Sequence, residues 1–463
     1  MRASGMLKAV SAFGPAVAAL WLGWIPPVHS QSTPAAPPGF WERSNLLDDP
    51  GGVRTALSNR GISYGLTSTD EVLGNVTGGV HTGADYDGLM QFGIGVDTAK
   101  ALGWPGGIFN ISGLEIRGRN LSTDNLDTLQ IASTIEALDT TRLWELWYQQ
   151  SFAAGKADIK LGLQSIDQEF LISSQSLLFI NEASGWPMVP FYDLYAGGPT
   201  YPLSSLGVRL RVQPNDTWTV LSGVFQDNPP GGPFNNDSQL RGSSRWGGNF
   251  HLNTGALFIT ELQYALNPSA GLPGSYKLGF WYDTGPFPSQ LHDTMGLSLA
   301  NPASNGRARL IHDNFSLYAV MDQMIWPPNP KGAQQLGVFL RMMGAPGDRN
   351  LISFAVNGGF TFKAPLPGRD NDTLGLGFGL AHVSSSVAKL NQQQAFFTDT
   401  FVPIRNNETV IELTYQAQVA GWWVLQPDVQ YVINPGGGLP NPLQPGRRIG
   451  NELVLGLRSV VTF

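Results

Sequence analysis

Hydrophobic and polar residues alternate one for one over long stretches of this chain. In 408–419, Ile411, Leu413, Tyr415, Ala417 and Val419 share one face, while Glu412, Thr414, Gln416 and Gln418 share the other. In 350–362, Ile352, Phe354, Val356, Phe360 and Phe362 oppose Ser353, Asn357 and Thr361. In 204–213, Leu206, Val208, Leu210 and Val212 oppose Ser205, Arg209, Arg211 and Gln213. A period of two held over about ten residues marks a strand with one side in lipid and the other in water. The pattern predicts strands over 60–73, 85–98, 107–119, 142–153, 156–166, 204–213, 216–226 and 254–266. It continues over 275–284, 312–323, 334–344, 350–362, 372–384, 408–419, 422–432 and 451–463. That is about sixteen strands, an even number within the range of water-filled barrels.

The connections give an independent test. After even-numbered strands they are mostly short, as at Ala154-Gly155, Pro214-Asn215 and Ala420-Gly421. After odd-numbered strands most are long, namely 120–141, 167–203, 227–253, 285–311, 385–407 and 433–450, with 345–349 an exception. Short periplasmic turns alternating with long outer loops put both termini in the periplasm. Aromatic residues near strand ends (Trp144, Tyr148, Trp422, Trp423, Tyr431) suit interfacial girdles. The fold class is therefore all-β, a transmembrane antiparallel β-barrel preceded by a short periplasmic helix.

That helix follows Asp49-Pro50-Gly51-Gly52 and runs through VRTALSNRG, with Asp49 as cap, Pro50 in the first turn and Gly61 beyond the end. Everything after it reads as strand, turn or loop. Residues 1–30 have the layout of a signal peptide: Arg2 and Lys8, an apolar stretch through Phe13, Val17, Leu20, Trp21 and Leu22, then Val28-His29-Ser30 before Gln31. The organisation is thus 1–30 signal peptide, 31–60 periplasmic segment opening on the Pro/Ala-rich 31–39, and 61–463 barrel.

Composition narrows the alternatives. With 56 glycines, 33 prolines and only 14% charged residues, a Lys/Glu-rich helical enzyme does not fit. A net charge of −7 leaves no footprint for nucleic acid. The absence of cysteine excludes disulfide scaffolds, thiol nucleophiles and thiolate zinc sites. No repeat of about 40 residues suggests a propeller, and a sandwich would not carry Arg, Glu, Lys and Gln on its second strand face.

Candidate catalytic chemistry is weak. Gly61-Ile-Ser63-Tyr-Gly65 matches the G-x-S-x-G elbow, but a helix precedes it and strand-like residues follow, the reverse of what that turn needs. The histidines are scattered with no ligand-spaced pair, so neither metal nor cofactor is implied. Gly375, Gly377 and Gly379 form a G-x-G-x-G run that is not the dinucleotide fingerprint; they lie on the lumen face of a strand, where small residues let the wall pack closely.

Charge at inward positions is more informative. Taking Leu114 and Ile116 as lipid-facing turns Glu115, Arg117 and Arg119 into the lumen. The same parity turns in Glu145 and Trp147 against Trp144, Leu146 and Tyr148, then Lys160, Arg209 and Arg211. Lys277, Trp281 and Arg341 follow on later strands. Arg offers a fork of donors, Glu accepts, and an aromatic face stacks on C–H groups, which together suit a sugar. The expected constriction sets Arg117, Arg119, Arg209 and Arg211 against Glu115 and Glu145, with Trp147 as platform. The segment 167–203, holding Glu169, Asn181, Glu182, Trp186 and Asp193, is the loop expected to fold inward.

Several strings also resemble one family: EVLGNVTGG (71–79), LWELWYQQSF (143–152), DQEF (167–170), FINEASGWP (179–187), YPLSSLGVRLR (201–211), SYKLGFWYDTG (275–285), QPDVQYVINPGG (426–437) and GLRSVVTF (456–463). Their order and spacing resemble the carbohydrate-selective porins of the OprB type. The resemblance implies a sixteen-stranded outer-membrane channel of Gram-negative bacteria that passes glucose and other sugars, often as a homotrimer. The expected partners are thus monosaccharides, short oligosaccharides and outer-membrane lipid. The alternatives are a general or other small-solute porin on the same barrel and a secreted all-β glycosidase. The last would need two carboxylates about 5 to 9.5 Å apart, and a basic lumen is a poor place to keep one of them protonated.

Overall fold

The alternation closes into a barrel. A computed structural model describes residues 39–234, 245–248, 250–266, 272–326 and 334–463. The expected signal peptide and residues 31–38 lie outside the described residues. Strands β1 (Ile62–Gly79), β2 (Gly83–Asp97), β3 (Gly107–Gly118), β4 (Thr140–Phe152), β5 (Ala157–Gln164), β6 (Ser205–Val212), β7 (Trp218–Gln226) and β8 (Ala256–Leu266) form one half. Strands β9 (Gly274–Asp293), β10 (Ala308–Trp326), β11 (Gln335–Gly344), β12 (Ile352–Lys363), β13 (Thr373–Val383), β14 (Asn407–Ala420), β15 (Trp423–Ile433) and β16 (Gly450–Thr462) form the other. Every strand pairs antiparallel with its sequence neighbours, and β1 closes on β16 through Thr67 opposite Thr462 up to Gly79 opposite Gly450. A closed barrel leaves no edge, so each backbone group in the bilayer finds a partner.

Helix α1 (Val53–Asn59) stands where the sequence places it. Asp49 accepts from the Arg54 amide at 2.7 Å and the Thr55 hydroxyl at 2.6 Å. Arg54 in turn donates to the carbonyls of Tyr64 and Phe463, fastening the helix across the β1–β16 seam.

Three expectations are corrected. The chain is helical beyond residue 61 as well, in α2 (Thr98–Leu102), α3 (Met188–Asp193) and the 14-residue α4 (Ser385–Thr398). Ser384 caps α4, a signal hidden inside a connection read only by its length. Strands β9 and β10 run to 20 and 19 residues, consuming much of the loop expected at 285–311, because their hairpin keeps pairing as far as Asp293 opposite Ala308. The connection 345–351 is short, as its sequence already showed. Finally, Trp144 is not in a lipid girdle. A bulge opposite Ser112 and Gly113 turns both Trp144 and Glu145 inward, and Trp144 packs on Leu89 and Leu114. Trp422 sits in the turn between β14 and β15 and stacks on Trp41 and Trp423.

The lumen holds two folded-in loops rather than open water. The β3–β4 loop (119–139) and the β5–β6 loop (165–204) are largely buried within the barrel. Phe170, Leu171, Trp186, Met188 and Val189 of the second loop pack on Leu221, Ile259, Trp281, Val320 and Ile352, which project inward from β7 through β12.

Candidate functional site

The second loop is held by side chains of the facing wall. Glu261 on β8 accepts from the Leu171 amide at 2.9 Å. Asp322 on β10 accepts from the Ser173 hydroxyl at 2.5 Å and the Ser174 amide at 3.0 Å. Glu412 on β14 accepts from the Ile180 amide at 2.6 Å. Arg341 on β11, fully buried, does the converse and donates to the carbonyls of Leu171, Ala183 and Gly185 at 3.1, 3.0 and 2.9 Å. Wall carboxylates thus take the loop's amides and a wall guanidinium takes its carbonyls, so non-repetitive backbone is satisfied inside a barrel. The glycine run of β13 makes room for the second loop, a use its spacing alone did not specify. A Cβ at Gly377 would stand 2.8 Å from the Phe179 ring of the loop, and one at Gly379 would stand 2.7 Å from Ala183.

The first loop is fixed in the same manner. Glu408 accepts from the amides of Leu129 and Gln130 at 2.7 and 2.6 Å. Arg458, ion-paired with Glu71 across the β1–β16 seam, donates to Thr134 at 3.0 Å. Where the two loops meet the wall, a cavity of about 120 Å³ remains. Its polar lining includes Gln91, Glu182, Arg341 and Arg458, and its aromatic lining includes Trp186 and Tyr201. Burial pushes the Glu182 carboxyl well above its ordinary value, although the Trp186 amide donates to it. The Trp186 indole is anchored on the Gly197 carbonyl at 3.0 Å, and the Tyr201 hydroxyl on that of Ile135 at 2.9 Å.

Glu182, Trp186 and Arg341, all read as inward from the sequence, line this cavity, but none of the nine residues expected at the constriction (Glu115, Arg117, Arg119, Glu145, Trp147, Lys160, Glu169, Arg209 and Arg211) does. Six of them do gather on the lumen side of β4–β6. Arg209 and Lys160 both pair with Glu169, and Arg209 and Arg211 both pair with Asp158. The Lys160 ammonium lies 4.6 Å from the centre of the Trp147 ring. Glu145 accepts from the Ser165 amide at 3.1 Å, at the start of the second loop. Burial works against the charge of Glu169, but Lys160 and Arg209 outweigh it and hold its carboxyl below the ordinary value. The arginines therefore answer Asp158 and Glu169, not Glu115 and Glu145.

Glu115, Arg117 and Arg119 are corrected outright. Leu114 and Ile116 point inward, packing on Ile135 and Ala137 of the first loop. Glu115 and Arg117 consequently point out of the barrel, and Arg119 lies beyond β3, largely exposed and paired with Asp124 at 3.0 Å. The apolar face of a strand points to lipid only where the lumen is wet. Under the folded-in loop the lumen is dry, so the greasy face of β3 turns inside.

A profile of the carbohydrate-selective porin, OprB family, matches residues 81–463. The chain belongs to that family. Porin B of Pseudomonas aeruginosa is 26% identical over 440 residues, covering 90% of this chain and 91% of its own. The high-pH structure of Pseudomonas putida OprB superposes with a TM-score of 0.80 at 24% identity, over 92% of this chain and all of the other. The low-pH structure of that protein gives 0.57 at 19% identity, over 91% of this chain and 99% of the other. The protein is accordingly an outer-membrane carbohydrate porin of a Gram-negative bacterium, a channel and not an enzyme.

Proposed function

We propose that this porin passes glucose-sized monosaccharides by passive diffusion between its two folded-in loops. The observation that carries the reading is the cavity at their junction, where donors, an acceptor and aromatic faces converge. Arg341, Arg458 and Gln91 would donate to ring hydroxyls, Glu182 would accept, and Trp186 and Tyr201 would offer surfaces to the C–H face. Glu145, Trp147, Lys160, Glu169, Arg209 and Arg211 would form a second polar stretch of wall that sets the field a solute meets. Arg211 is its most exposed cation. One barrel is then a complete transport unit, whether or not barrels pack into a homotrimer. Residues 1–30 would be removed on export, and 31–60 would remain on the periplasmic side of the barrel that begins at 61.

The test is liposome swelling with purified protein. Glucose should enter faster than an amino acid of similar size and faster than a disaccharide, and it should be recovered unchanged. Equal rates for sugar and amino acid would favour a general porin, and release of a hydrolysis product would favour a glycosidase.

A further inference from the structure

A dry recess of about 400 Å³ lies on the outside of the barrel, across β7 to β11. Two adjacent rows of outward side chains form it. The first follows the pairing of Trp218 with Tyr264, Tyr264 with Tyr276, Tyr276 with Met321 and Met321 with Leu340. In the second, Leu262 and Leu278 stand on one side of Ala319 and Met342 on the other. Ala319 is the small residue among long ones, so the wall is lowest there. The methionines beside it are flexible enough to fit what lies against them.

The recess runs obliquely through the bilayer. Rows of paired residues cross the strands at right angles, and strands tilted by about 40° carry such a row from one depth to another. At one end Trp218 opens β7, at the periplasmic rim. At the other end Met321 lies five residues inside Trp326, which closes β10, and Leu340 five residues inside Gln335, which opens β11. Five residues at a rise of about 3.3 Å and this tilt make roughly 12 Å of depth, against about 15 Å for one leaflet of hydrocarbon. Four strand spacings of about 4.8 Å make the row roughly 19 Å long. The recess therefore leads from the periplasmic headgroups through most of one leaflet. Its rim end carries aromatic rings with polar tips. The Trp218 and Tyr264 rings lie 4.9 Å apart, and those of Tyr264 and Tyr276 6.2 Å apart. The Tyr276 hydroxyl is engaged with the Gln323 Oε1 at 2.5 Å. The Trp218 indole N–H and the Tyr264 hydroxyl have no hydrogen-bond partner among the described residues.

We propose that this recess is a binding site for one phospholipid of the periplasmic leaflet, with an acyl chain laid along the two rows and ester or phosphate oxygens on Trp218 and Tyr264. The recess is continuous with lipid-facing wall on both sides, where Leu210 of β6 and Phe360 of β12 are exposed. Acyl chains therefore already border it. A chain that left the recess empty would forfeit contacts along its lining, so a chain that enters is favoured over one that passes by. Two donors at headgroup level then fix which end of the lipid sits at the rim. A lipid held at both ends stays with the barrel when its neighbours exchange.

The proposal rests on the outer-membrane location but not on the identity of the solute. The test reconstitutes the full chain with equal amounts of phosphatidylethanolamine and lipopolysaccharide, extracts it in mild detergent and counts bound lipid by native mass spectrometry. After washing that strips the surrounding lipid, the parent should keep one phosphatidylethanolamine per barrel. Ala319→Trp fills the recess and should lower that retention at least tenfold. Ala417→Trp, the same change at an outward position of β14, should leave it unaltered. Trp218→Phe combined with Tyr264→Phe keeps two rings but removes both donors, and should shorten the residence of the lipid severalfold. A parent that keeps no lipid, only detergent, or lipopolysaccharide in place of phosphatidylethanolamine would overturn the proposal. Equal retention in Ala319→Trp and Ala417→Trp would overturn it as well. If Ala319→Trp fails to insert, the parent count and the double phenylalanine variant decide.

Discussion

Arg341 should be a latch, and replacing it with Lys isolates that role. The guanidinium reaches three carbonyls of the β5–β6 loop and also Asn357 at 3.1 Å. Lysine keeps the positive charge beside the cavity but cannot span three acceptors from one position. With one carbonyl still served, two lose their donor, at about 1–1.5 kcal/mol each when the lower end of the range for an unsatisfied buried acceptor is used. The loop is then loosened by about 2–3 kcal/mol, which multiplies the population of detached conformations by roughly 30- to 150-fold. The assay is liposome swelling with glucose and a disaccharide, joined to single-channel recording. The disaccharide rate should rise relative to glucose, and current noise should increase, while ion selectivity stays near that of the parent. Leu210→Ala, altering a side chain that faces lipid, should change none of these. An unaltered sugar ratio and quiet current in Arg341→Lys would refute the latch. Altered ion selectivity with an unaltered sugar ratio would assign Arg341 to the field of the pore instead.

Arg209→Ala should leave Asp158, which is wholly buried, with Arg211 alone and Glu169 with Lys160 alone; the expected loss is about 3–5 kcal/mol, read from the temperature of the heat-modifiable gel shift. The same variant should move the reversal potential toward cation selectivity, since a positive charge leaves a cluster that retains both carboxylates. Glu169→Gln should be less stable than the parent at neutral pH. Because the Glu169 carboxyl is held below its ordinary value of 4.5, the parent's advantage is full above that value and vanishes as pH falls through the lowered one, so the two melting curves should converge in acid. Gly377→Val should drive the Phe179 ring off β13 and raise disaccharide entry, whereas the same change at Gly368, in an exposed turn with open space around it but φ +73, should cost stability without altering sugar selectivity.

The barrel was legible because period-2 patterning is local. A residue and its second neighbour share a face whatever the rest of the chain does, and turn residues report where a strand must end. All sixteen strands, the alternation of short and long connections, the helix after Asp49 and the inward lie of Lys160, Arg209 and Arg211 were readable from that alone. Family strings then narrowed a barrel to a sugar channel. The helices at 188–193 and 385–398 escaped because each lies inside a segment read only by its length.

What periodicity cannot supply is which face of a strand is inside, or what an inward side chain meets. On β3 the answer reverses, because Ile135 and Ala137 arrive from a loop some twenty residues on and make the lumen dry at Leu114 and Ile116. On β4 one bulged residue carries Trp144 inward beside Glu145 and cancels the parity of everything beyond it. Asp322, Arg341, Glu408 and Glu412 stand at inward positions that the sequence displays, but their partners are backbone amides and carbonyls of loops up to 280 residues away. Backbone groups are the same at every residue and leave no trace in composition or spacing. Strand identity and order were therefore set by local sequence, whereas the constriction was decided by where two loops found enough acceptors, donors and dry surface to fold inside the barrel.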